Sequence, residues 1–80
     1  MYTIGDLAKE FKLSRSTLLY YDKIGLLTPS KRTEADYRLY SEAEFVRMSK
    51  IALYKKAGLS LDEIAEILNS KEDHLSKILE

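Results

Sequence analysis

Ser14 to Gly25, SRSTLLYYDKIG, is the stretch whose reading decides the fold. Wound as a helix at about 100° per residue, it separates into two faces. Ser14, Thr17, Leu18 and Tyr21 fall on one side, and Arg15, Ser16, Leu19, Tyr20 and Lys23 on the other. Leu18 and Tyr21 are the candidates for a core. The opposite side offers a guanidinium, a hydroxyl, a phenol and an ammonium, groups that suit phosphate and base-edge contacts in a major groove. A helix face with two basic groups is more often simply solvated. The Leu19-Tyr20 pair argues for a covered face, because large apolar neighbours are uncommon on an idle surface.

Upstream, Ile4, Leu7, Ala8 and Phe11 recur at i, i+3, i+4 and i+7, one apolar stripe of a short helix. Only Lys12-Leu13-Ser14 separates that helix from the next, with Leu13 placed to plug the corner. Two short helices so joined form a helix-turn-helix pattern, although an ordinary helical hairpin has the same outline. Downstream, residues 26–40 break the helical period. Leu26-Leu27-Thr28-Pro29 and Tyr37-Arg38-Leu39-Tyr40 read as extended segments bracketing a polar tip from Ser30 to Asp36. The expected hairpin, 27–40, carries Lys31, Arg32 and Arg38. It is either a wing beside the helix-turn-helix or a plain surface loop, and the order of the parts favours the wing.

Hydroxyl residues mark the helix starts. Thr3 precedes Asp6 by three residues, Ser41 precedes Glu44, Ser60 precedes Glu63 and Ser70 precedes Asp73, while Ser14 opens a segment without such an acid. The hydroxyl accepts from an orphan N–H and the acid bonds back to the cap's own N–H. Gly25 and Gly58 supply stops. Helices are expected at 4–11, 15–24, 42–57, 61–69 and from 71 onward. In the third, Phe45, Met48 and Ala52 form an apolar face, Arg47, Lys50 and Tyr54 gather on another, and Lys55-Lys56 sits where cations favour the macrodipole. In the fourth, Leu61, Ile64, Ala65 and Leu68 make a stripe. Leu75, Ile78 and Leu79 then remain as candidates for an interface with a second subunit.

The 80 residues, 45% of them hydrophobic, suit one small domain with a limited core. Cysteine is absent, and His74 is the sole histidine, so neither a disulfide framework nor a metal centre is expected. No cofactor is implied. No apolar run approaches a membrane span, and the N-terminus lacks a signal-peptide layout. A soluble, cytoplasmic protein is the expectation. An enzyme is not: Asp62 and Glu63 are accounted for at a helix start, and no nucleophile-base set or glycine-rich phosphate loop occurs. Thirteen basic residues balance thirteen acidic ones. The first forty residues carry seven Lys/Arg against five Asp/Glu, and the last forty carry six against eight. That asymmetry permits a nucleic-acid face at the N-terminal end without requiring one.

Taken in order, Ile4-Gly5-Asp6-Leu7-Ala8-Lys9, Leu13-Ser14, Thr17-Leu18, Tyr20-Tyr21-Asp22, Ile24-Gly25-Leu26-Leu27, Tyr37-Arg38-Leu39-Tyr40 and Gly58-Leu59-Ser60-Leu61-Asp62-Glu63-Ile64 form a specific set. From Tyr2 to about Leu68 the chain resembles the DNA-binding domain of the MerR family of bacterial transcription regulators. The resemblance implies a mainly α fold: a winged helix-turn-helix of about four helices with a small β-hairpin wing, followed by the start of a fifth helix. It divides the chain into a DNA-binding domain at 1–69 and the start of a dimerisation helix at 70–80. It further implies a homodimer on a palindromic promoter site, distortion of that site, and an indirect effect on RNA polymerase. Carried over by position, Tyr20 contacts a phosphate, Ser16 and Thr17 lie where the recognition helix approaches DNA, Arg38 is the wing's phosphate contact, and Lys55 is a further basic contact. Tyr37 and Tyr40 brace the wing. Where the family commonly has a basic residue before the paired aromatics, this chain has Leu19, with Arg15 one turn earlier to substitute for it.

Two other readings stay open at this level. An excisionase-like architectural or recombination accessory factor uses the same fold and is distinguished by a neighbouring integrase gene. A protein-interaction module built on Leu19, Tyr20 and the terminal leucines is favoured by the neutral net charge, and a gel shift on random duplex DNA separates it from the first.

Overall fold

The computed structural model describes the backbone of residues 1–79 and the side chains of residues 1–70. The elements run β1 Tyr2–Thr3, α1 Ile4–Phe11, α2 Arg15–Lys23, β2 Lys31–Arg32, β3 Arg38–Tyr40, α3 Glu42–Lys56 and α4 Leu61–Leu79. The helix starts are where the hydroxyls announce them. Thr3 Oγ1 accepts from the Asp6 N–H at 3.1 Å while Asp6 accepts from the Thr3 N–H at 2.9 Å. Ser60 and Glu63 repeat the reciprocal pair at 3.1 and 2.9 Å. Ser14 Oγ accepts from the Thr17 N–H at 3.1 Å. At Ser41 the carboxylate carries the cap: Glu44 accepts from both the Ser41 N–H and its hydroxyl at 2.7 Å, and from Ser30.

Ser70 behaves differently. The expected break before residue 71 does not occur, and the anticipated fifth helix is the continuation of α4 to Leu79. A Ser-x-x-Asp spacing caps a helix only where the preceding chain is extended. Here residues 66–69 supply no glycine or proline to stop the helix already running.

The turn between α1 and α2 is tight. Lys12 adopts a left-handed conformation at φ 55°, and its N–H and that of Leu13 both return to the Ala8 carbonyl. Leu7 of α1 and Leu18 of α2, both fully buried, belong to the same core cluster. After α2, Gly25 takes φ +76° with nothing within 4 Å of a would-be Cβ. The chain reverses there, and the N–H groups of Leu26 and Leu27 fold back onto the Tyr21 carbonyl at 2.9 and 3.1 Å. Leu26 and Leu27 therefore drop into the core instead of forming the first wing strand, which begins at Lys31. The strand starts later because it must pair with β3, in the register Lys31↔Leu39 and Arg32↔Arg38.

The sheet has a third member. β1 pairs with β3 through Tyr2↔Tyr40 and Thr3↔Leu39, giving the antiparallel order β1-β3-β2. The wing is thus anchored to the N-terminus of the chain. Tyr2, Phe11 and Phe45 add an aromatic seam, with ring centroids 4.7 Å apart for Tyr2–Phe45 and 5.2 Å for Phe11–Phe45. One core, containing Leu7, Leu18, Tyr21, Leu27, Met48, Ile51 and Ile64, joins the helix-turn-helix to α3 and α4. Arg47 reinforces that junction from α3: its Nε donates to the Leu26 carbonyl at 2.7 Å and its Nη2 to Asn69 Oδ1 at 3.1 Å. No helix among the described residues is long and apolar enough to cross a membrane.

Candidate nucleic-acid interface

Burial of Leu18 and Tyr21 fixes the rotation of α2, and the remainder of the helix follows from it. Arg15, Ser16, Leu19, Tyr20 and Lys23 all face solvent, with Leu19 41% and Tyr20 51% exposed. Thr17 is half-buried between the two faces. Its hydroxyl lies 2.9 Å from Ser14 Oγ and is engaged in the helix cap. Among the described residues, the hydroxyl on Ser16 carries no such bond.

The wing lies against the same helix. Arg38 Nε donates to Asp22 Oδ2 at 2.7 Å, and Arg32 Nη2 reaches the same oxygen at 3.3 Å. Arg32 Nη1 also pairs with Asp36 at 3.1 Å, and that hydrogen bond helps hold its guanidinium above the ordinary arginine value. The wing tip turns through Asp36, at φ 65°, closed by the Asp36 N–H on the Thr33 carbonyl at 2.8 Å. Lys31 projects into solvent from β2.

Arg15 completes the arrangement from the other end of α2. It lines a cleft of about 320 Å³ together with Tyr37 and Arg38 of the wing and Thr3, Ile4 and Gly5 at the start of α1. Gly5 makes room for it, since a Cβ there would stand 3.0 Å from Arg15 Nη2. Arg15 therefore joins the exposed α2 face of Ser16, Leu19, Tyr20 and Lys23 to Arg38 of the wing, while Lys31 is exposed on β2. Lys55, exposed in the last turn of α3, makes no side-chain hydrogen bond or ion pair among the described residues. The side chains of Leu75, Ile78 and Leu79 lie outside the described residues.

Two aromatic expectations separate. Tyr40 braces the wing: its side chain is fully buried, and burial, with the Asp22 charge adding to it, pushes its phenol up from the ordinary value. Tyr37 does not, because its ring is 70% exposed and only its backbone closes the tip, by bonds to Thr33. Alternation along β3 puts position 37 on the face opposite the buried Tyr40, and position 37 also precedes the paired strand. The residue that sequence reasoning missed is Asp22. It stands among the residues that carry the family resemblance, yet its partners lie 10 and 16 positions away, and no local pattern reveals them.

Comparison with known proteins gives one consistent result. The MerR HTH family of regulatory proteins matches residues 2–71. The transcriptional activator TipA of Streptomyces coelicolor is 41% identical over 68 residues, covering 85% of this chain and 27% of TipA. The chain thus spans about a quarter of that relative's length. The N-terminal part of MtaN, the multidrug transporter activator of Bacillus subtilis, superposes with a TM-score of 0.81 at 38% identity, over 96% of this chain and 83% of that one. HiNmlR, a MerR family regulator lacking the sensor domain and bound to promoter DNA, superposes with a TM-score of 0.73 at 31% identity, over 96% of this chain and 67% of that one. A four-helix fold with a three-stranded wing, an outward-facing second helix and a family match from residue 2 to 71 agree: the chain belongs to the MerR family of helix-turn-helix regulatory proteins, as its DNA-binding domain.

Proposed function

We propose that the chain binds double-stranded DNA sequence-specifically for a cytoplasmic transcription regulator, with α2 in the major groove and the wing on the backbone. The observation that carries this reading is the convergence of Arg15 from α2 with Tyr37 and Arg38 from the wing on one cleft beside the exposed Ser16-Leu19-Tyr20 face. Ser16 and Leu19 read base edges, Leu19 against a thymine methyl. Arg15, Tyr20, Lys23, Lys31 and Arg38 hold phosphates, which position the domain without reading sequence. Lys55 is a peripheral basic contact. A relative of 31% identity bound to promoter DNA supports the assignment.

The full regulator acts as a homodimer through the C-terminal part of α4, with Leu75, Ile78 and Leu79 in the interface. Two-fold symmetry then asks for a palindromic promoter site, and holding both halves at once raises affinity well above that of one half-site. Distortion of that site couples the regulator to RNA polymerase indirectly.

The test is a binding titration on duplex DNA across a range of salt concentrations. Arg38→Ala weakens every sequence alike and reduces the salt slope by about 1, whereas substitutions at Ser16 alter sequence preference. Equal losses across all sequences for both variants would contradict this division of roles. The absence of any binding at low salt would favour a protein partner for Leu19 and Tyr20 instead.

A further inference from the structure

Asp22 is an acid in an unfavourable place. It sits in the last turn of α2, where the helix dipole opposes negative charge, and on the side that faces the wing. It also removes positive potential from a surface that needs it for phosphates. Neither helix stability nor electrostatic attraction to DNA accounts for it.

The wing does account for it. Arg32 and Arg38 are cross-strand partners, and like charges directly opposite on neighbouring strands repel. Asp22 Oδ2 lies between them, 3.3 Å from Arg32 Nη2 and 2.7 Å from Arg38 Nε. Its side chain is only 15% exposed and that of Arg38 only 23%, so this contact is shielded from bulk water, whereas Arg32 is 43% exposed. Arg38 engages through Nε alone, and its two terminal Nη groups take no partner among the described residues. The guanidinium is held edge-on, with one edge fixed and the other free.

We propose that Asp22 is a positioning residue of the DNA interface: it ties both strands of the wing to the recognition helix and aims the free Nη edge of Arg38 at a backbone phosphate. This rests on the DNA-binding reading above. Its consequence runs opposite to simple electrostatics. Deleting a negative charge near a phosphate backbone strengthens binding if charge alone matters, and weakens it if that charge orients an arginine.

The experiment is a salt-dependent titration of the 80-residue chain on one duplex, comparing wild type with Asp22→Asn, Asp22→Glu and Asp22→Asn/Arg38→Ala. Asp22→Asn is expected to bind about tenfold more weakly, with a salt slope smaller by about 1 to 2 because phosphate contacts are lost. Asp22→Glu recovers part of both the affinity and the slope. In the Arg38→Ala background the effect of Asp22→Asn shrinks severalfold, because the arginine it positions is gone. Equal or tighter binding by Asp22→Asn overturns the proposal and leaves the DNA-binding reading intact. So does weaker binding at an unchanged slope, which is the signature of a merely destabilised fold. A wild-type chain that binds no duplex overturns both. Should Asp22→Asn melt below the assay temperature, hydrogen exchange of the Arg38 Nε–H in wild type decides: slow exchange supports the clamp, and exchange at the rate of a solvated arginine overturns it.

Discussion

At the scale of single residues, the centre of the recognition face is apolar. Leu19 stands between Ser16 and Lys23 on the outer side of α2, 41% exposed, where the family resemblance implies a basic side chain. An exposed leucine contributes nothing to phosphate binding, so the contact proposed for it is with a base edge, and a thymine methyl is the apolar group the major groove offers. Leu19→Arg is therefore expected to change which base pairs are preferred, measured on a panel of single-base-pair variants. An unchanged ranking would make Leu19 a bystander. Tyr40 supplies a residue prediction about stability. Its buried hydroxyl finds no hydrogen-bond partner among the described residues. Tyr40→Phe removes a desolvated polar atom while keeping the ring, so the melting temperature is expected to hold or rise, by up to about 1 kcal/mol of stability. A clear fall would mean that the hydroxyl is satisfied in solution. The outward set on α2 was legible because helical period alone separates it from Leu18 and Tyr21. Asp22, Arg47 and the exposure of Tyr37 were not, since each depends on contacts or strand limits set by distant parts of the chain.

At the scale of elements, the termini of the helices carry most of the information. Serine and threonine located the starts because their hydroxyls satisfy N–H groups that would otherwise be orphaned. Gly25 located the end of α2. With φ +76° and open space around it, Gly25→Ala meets no clash, only the backbone cost of a left-handed non-glycine residue, about 1 to 2 kcal/mol. For a domain of this size the melting temperature is expected to fall by about 4–8 °C per kcal/mol. No change would show that the turn relaxes. The capping carboxylates predict an acid limb. Bonds from Thr3 lower Asp6, bonds from Ser60 lower Glu63, and at Glu44 burial works upward but is outweighed by the bonds from Ser30 and Ser41. Carboxyls depressed in the folded state add stability above their unfolded values, and that stability is lost as pH falls through the folded ones. The melting temperature is thus expected to fall progressively below pH of about 4, and less steeply in Asp6→Asn/Glu63→Gln. The wing strand was misread at Leu26-Leu27 because an apolar pair after a glycine turn looks the same whether it enters a sheet or a core. Ser70 misled for the converse reason, a cap signal inside a helix with nothing to stop it.

At the scale of the whole molecule, net charge is uninformative and arrangement decides. Thirteen cations and thirteen anions cancel, yet Arg15 of α2 and Arg38 of the wing share one cleft, Lys23 and Lys31 are exposed on the same two elements, and the acids at 22 and 36 are committed to the wing's own arginines. Order along the chain, two short helices and then a wing, was legible. The tie of the wing to the N-terminal strand was not, because two residues of β1 carry no periodicity. The central claim is that α2 and the wing form a single DNA-binding surface. Titrating duplex DNA into the isotopically labelled chain and following backbone amide resonances tests it most directly. Perturbations are expected at Arg15–Lys23 and Lys31–Tyr40 together, weakening as salt is raised. Perturbations confined instead to the exposed side of α3 around Val46 and Leu53, with α2 and the wing silent, would contradict it.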